Sequence, residues 1–113
     1  MHEAGIMQDA LDLAAAEANK AGASRVHRMR LRVGVLSGVV PEALQFAFDA
    51  LAPGSRAEGG LLEIELVEAA YWCEECIREF AARDLVEPCP GCGGTAAILR
   101  RGRELELLSV EVS

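Results

Sequence analysis

Four cysteines at positions 73, 76, 89 and 92 follow the pattern C-x2-C-x12-C-x2-C. Two intervening residues let a tight turn aim both sulfurs of a pair at one point. The second turn, "CPGCGG", supplies Pro90, Gly91 and Gly93 for the unusual dihedrals that such a knuckle needs. Two spaced CxxC units point to a tetrahedral site for a structural Zn2+, and four thiolates leave no open position for a catalytic role. An iron ion in the same thiolate set, or a redox dithiol or disulfide, are the alternatives. A module of roughly two dozen residues buries too little apolar surface to fold unaided, so a bound ion would supply the missing stability.

The second candidate is the opening "MHE". A free amine at Met1, the main-chain nitrogen of His2 and its imidazole can close fused chelate rings around a metal that accepts square-planar geometry. Ni2+ and Cu2+ do so more readily than Zn2+ or Mg2+. Met1 is expected to stay in place, because removal of the initiator favours a small second residue. Many chains begin Met-His by chance, and the residues alone favour the plainer reading of His2 as an ordinary surface residue. His27, near the start of a strand, reads as a packed or capping residue. Two histidines and four cysteines already committed to a metal give no Ser/His/Asp or Cys/His arrangement. There is no GxxxxGK[ST] phosphate loop, so any nucleotide hydrolysis is expected to belong to a partner, and the leading reading is of a chain that is not an enzyme.

The elements that must hold these residues are legible from periodicity. Residues 4–21 place Ile6, Met7, Ala10, Leu11, Ala14 and Ala18 on one stripe at helical spacing, and Gly22 ends the helix. From Val26 to Leu36 the period is two: Met29, Leu31, Val33 and Val35 face one way, and Arg28, Arg30 and Arg32 the other. A second helix starts near Pro41 with Leu44, Ala47, Phe48 and Leu51 inward, and Pro53 and Gly54 stop it. "LLEIELVE" alternates again with an acidic outer face. The closing "ELELLSVEVS" changes phase at Leu107–Leu108, which predicts a bulge or a change of exposed face. The arginine strand is expected to lie beside at least one glutamate strand.

The expected fold is α+β: a small mixed sheet of about three strands packed with two helices, plus an inserted zinc-ribbon-like module. The expected domains are residues 1–69 with 102–113, and residues 70–101. Tyr71 and Trp72 are expected to wedge the module against its neighbour, or else to anchor a partner. The chain has 113 residues, 51% of them hydrophobic and 26% charged, the balance of one folded domain or of one core with a small satellite. A formal charge of -7 argues against a chain that works by neutralising phosphates, and no basic stripe with interleaved aromatics is present, so no nucleic-acid partner is expected. The apolar runs are only a few residues long, and no basic-then-apolar leader precedes them. No membrane association is expected, and a cytoplasmic location, where cysteines are thiols or metal ligands, is.

The initial Met-His-Glu, "VGVLSGVVPEALQFAFDAL", "AEGGLLEIE", the two knuckles and "ELELLSVEV", in that order over nearly the whole chain, resemble the HypA/HybF family of hydrogenase nickel-incorporation proteins. The resemblance implies a nickel-binding α/β domain with a separate zinc domain. It implies that His2 is the essential nickel ligand, aided by the Met1 amine and the main-chain nitrogens of His2 and Glu3, with the Glu3 carboxylate as a tuner. Cys73, Cys76, Cys89 and Cys92 match the family's zinc ligands. It further implies a metallochaperone that delivers transported Ni2+ to the large subunit of [NiFe]-hydrogenase with a nickel-binding GTPase, and in some bacteria supports urease maturation proteins. Ala4 and Gly5 follow the motif where the family often has a larger residue. A zinc-ribbon adaptor that only binds proteins, and a small thiol oxidoreductase, are the competing readings.

Overall fold

The structure is a computed structural model and describes residues 2–113. Helix α1 spans Glu3–Lys20 and buries Met7, Ala10, Leu11, Ala14 and Ala18, with Ile6 half-buried beside them. Its end is set by Gly22 at φ 69°. The N–H of Gly22 donates to Asn19 O and that of Ala23 to Ala18 O, the paired bonds of a Schellman motif that only a left-handed residue allows cheaply.

Strand β1 (Val26–Gly34) is the centre of a three-stranded sheet. It runs parallel to β2 (Leu61–Val67), which it reaches through helix α2 (Pro41–Leu51), and antiparallel to β6 (Leu105–Val112). The sheet is therefore mixed, with both helices packed on the side of Met29, Leu31 and Val33. Val35 departs from the expected alternation. The strand ends at Gly34, and Val35 turns out of it, half-exposed, to donate its N–H to Val67 O. The phase change in the last strand is a bulge: Arg30 pairs with Ser109 and Leu31 with Leu107, which leaves Leu108 without a partner. His27 falls at a second shift of register and is exposed, its ring against the Ser113 hydroxyl.

The arginine strand lies between two glutamate strands. Arg28 reaches Glu63 and Glu111, Arg30 reaches Glu63, and Arg32 reaches Glu65 and Glu106, at 3.1–3.5 Å. A second antiparallel sheet, in the order β4-β3-β5, is made by β3 (Ala69–Cys73), β4 (Arg78–Ala82) and β5 (Ile98–Arg101). It has its own apolar cluster of Ala69, Tyr71, Cys73, Phe80, Ala82 and Cys89, against which Leu36 packs.

The chain crosses between the sheets on two strands that lie against the end of β1. Gly34 N–H donates to Glu104 O and Leu36 N–H to Gly102 O, both at 2.7 Å. The approach is close enough that a Cβ on Gly34 would sit 2.1 Å from Gly102 O, and one on Gly102, at φ 123°, would sit 2.7 Å from Ala69 Cα. Glycine is required at both points.

Candidate metal centres

β3 carries Cys73 as its last residue, and the turn into β4 carries Cys76. Cys89 and Cys92 come from the loop between β4 and β5, closed on itself by Cys89 N–H to Gly94 O at 2.8 Å and Gly93 N–H to Cys89 O at 2.7 Å. The two knuckles thus face each other, and all four sulfurs lie within 4.8 Å of one another. Cys73 Sγ is 3.7 Å from Cys92 Sγ, and Cys89 Sγ is 3.8 Å from Cys76 Sγ. A tetrahedron with metal–sulfur bonds of about 2.3 Å has sulfur–sulfur edges of about 3.8 Å. The donor set and its spacing therefore fit a tetrahedral thiophilic ion such as zinc.

Four thiols at this distance cannot all ionise without a cation. The hydrogen bond with Cys89, with burial and the other sulfurs behind it, pushes Cys76 up to about 12. Cys92 also rises, held up by its bond with Cys73 and by burial against the opposing main-chain N–H of Gly94. Cys89 falls to about 6, because main-chain N–H groups of Cys92 and Gly91 donate to its sulfur. The quartet is thus primed to place its first negative charge on Cys89, and further ionisation awaits a positive ion.

Ile77, which follows Cys76, has φ 51°, the position that Gly93 fills after Cys92 at φ 74°. A β-branched residue there costs of order 1–3 kcal/mol, a strain that the periodicity of the sequence does not reveal, although comparing "CI" with "CG" across the two knuckles would have flagged it. Tyr71 and Trp72, adjacent on β3, point to opposite faces. Tyr71 stacks on Phe80 with centroids 5.7 Å apart and its hydroxyl donates to the carbonyls of Asp84 and Leu85. Trp72 lies under the Arg100 guanidinium, 4.6 Å from its centroid. Tyr71 belongs to the buried cluster against which Leu36 packs, and Trp72 does not.

At the other end of the chain, His2 is the N-cap of α1 in an extended conformation, φ -93° and ψ 91°, and its ring is exposed. Its carbonyl accepts Ile6 N–H at 3.1 Å, while no side-chain bond holds the imidazole among the described residues. The N–H of His2 belongs to the cap, where helices leave main-chain donors without an intrahelical partner, while that of Glu3 is taken by its own carboxylate. Met1, the third expected member of this site, lies outside the described residues. The Glu3 carboxylate accepts Val40 N–H at 3.2 Å, and that bond, with one from its own N–H, holds it below the usual carboxylate range. Val40 is the N-cap of α2 and has no side-chain cap of its own. Glu3 does from another helix what a glutamate three residues into α2 would do in a capping box, a position that Ala43 occupies.

A family model described as hydrogenase/urease nickel incorporation, metallochaperone, HypA matches residues 1–112. A hydrogenase maturation factor HypA from a Picosynechococcus species is 42% identical over 112 residues, covering 99% of both chains. One from a Roseiflexus species is also 42% identical, over 98% of this chain and 91% of its own length. Among solved structures, the solution structure of the Ni metallochaperone HypA from Helicobacter pylori superposes with a TM-score of 0.68 at 24% identity, covering 99% of this chain and 97% of its own. At that identity the superposition speaks for the fold.

Proposed function

Since the chain belongs to the HypA family of hydrogenase and urease nickel-incorporation metallochaperones, we propose that it carries Ni2+ at Met1, His2 and Glu3 and delivers it to the large subunit of [NiFe]-hydrogenase. In this reading it is no enzyme: nickel is cargo, passed on in the cytoplasm with a nickel-binding GTPase. Residues 1–69 and 102–113 form the nickel-binding domain, and residues 70–101 a domain stapled by Zn2+ on Cys73, Cys76, Cys89 and Cys92. The zinc supplies cross-linking and no open coordination position.

The observation that carries the proposal is the placement of His2: exposed, outside the helix that follows, with its imidazole unengaged by the fold. Nitrogen donors at an open chain end suit a carrier, because an approaching acceptor can replace them one at a time. The Glu3 bond to Val40 holds the residue after His2 against the N-terminus of α2.

Nickel-loaded protein mixed with metal-free hydrogenase large subunit, separated by gel filtration and assayed for metal, tests delivery. Nickel is expected to move to the large subunit from the wild-type chain and to be neither held nor moved by His2→Ala. Transfer no faster than from a simple nickel salt would defeat the proposal and leave the zinc-ribbon adaptor as the better reading.

A further inference from the structure

The turn after Cys76 delivers Arg78 to the first position of β4, opposite Cys73 in the ladder with β3. Its guanidinium makes no ion pair with a carboxylate among the described residues, unlike Arg101 in the same sheet, which is held on both sides by Glu79. Arg78 lies instead against the second knuckle. A Cβ on Gly91 would sit 2.6 Å from Arg78 Nη2 and 3.1 Å from Cys76 Sγ, so the cation, the bare face of Gly91 and a ligand sulfur meet at one point. A side chain at position 91 would have to displace that cation.

The charge balance gives this contact a consequence. A divalent ion held by four thiolates carries a net charge of two minus, and the first knuckle adds Glu74 and Glu75 between two of the ligands. We infer that Arg78 is a charge-compensating residue of the four-cysteine centre, whose guanidinium offsets the negative charge of the loaded site and so governs how tightly and how long the ion is held. Arg78 follows directly on the left-handed turn at Ile77. The inference rests on reading the quartet as a zinc site and adds to it a partner outside the ligand set.

The test uses the full-length chain as wild type, Arg78→Gln and Arg78→Lys, each loaded with one equivalent of Zn2+ and challenged with a chromophoric chelator at low and high salt. Residues around a ligand set typically change metal affinity by about 10–100-fold. Arg78→Gln is expected to weaken zinc retention by about that factor, Arg78→Lys to restore most of it, and the gap to narrow as salt screens an exposed cation. Cobalt substitution supplies the second readout: thiolate-to-cobalt absorption of equal intensity in all three shows the ligand set intact. Equal zinc retention by wild type and Arg78→Gln overturns the inference, as does Arg78→Lys behaving like Arg78→Gln, which would make the contact one of shape. A wild-type chain without tetrahedral thiolate–cobalt bands fails the zinc reading itself and takes the inference with it.

Discussion

Cys89 is 2% exposed, and its main-chain bonds to Gly93 and Gly94 close the second knuckle. Replacing it with serine removes one of the four sulfurs of the cluster, so Cys89→Ser is expected to bind no stoichiometric zinc and to loosen β3, β4 and β5. Hydrogen exchange should show that loss of protection confined to these strands, with α1 and β1 still protected. Glu79 and Arg101 make a two-armed pair at 2.7 and 2.8 Å, and the guanidinium beside it holds the Glu79 carboxyl below its usual value. A carboxyl lowered on folding adds stability above its unfolded value of about 4.3, and that gain is lost as pH falls through the lower folded value. Thermal melts of wild type and Glu79→Gln should therefore differ at neutral pH and converge in acid. A gap that does not shrink as the solution is made acid would assign the pair's effect to packing. The cysteine quartet was legible because its ligands come in two local pairs. Val40 and Arg78 were not, since each matters through a neighbour that only folding brings near.

Among the elements, β1 shows how far local pattern reaches. Its alternation of Arg with Met29, Leu31 and Val33 foretells a half-buried strand, and the acidic alternation of β2 and β6 foretells its neighbours. Parallel pairing on one side and antiparallel on the other follows from α2 as the crossover, which alternation does not encode. Each exposed pair in the ladder is worth about 0.2–1 kcal/mol. Arg32→Glu would set like charges opposite both Glu65 and Glu106, and is expected to cost about 1 kcal/mol or more in urea unfolding at low salt, and less at 1 M salt. The end of β1 follows another rule. Gly34→Val must push the backbone of Gly102 away, with an expected loss of about 1–3 kcal/mol that salt does not change. No pattern in "VGVL" signals this, because the opposing glycine lies 68 positions further along.

The whole molecule is long, 54 × 25 × 16 Å, with two separate apolar clusters joined where β1 ends against the two crossing strands. The first cluster is large. The second holds six buried residues, two of them cysteines, so its stability is expected to follow the metal while that of the first is not. Two helices, a mixed sheet and an insertion with a four-cysteine cluster are legible in the sequence. The three-stranded sheet within the insertion is not, because β3 and β5 have five and four residues and their pairing shifts register at Ala70–Tyr71. The separation of the two clusters gives the proposed function its sharpest form: nickel at one end and zinc at the other should be lost separately. The direct measurement is the metal content of untagged protein after exposure to both ions, with nickel and zinc counted separately in wild type and His2→Ala. One nickel and one zinc per wild-type chain, and zinc alone in His2→Ala, is the expected result; nickel retained undiminished by His2→Ala would contradict the account.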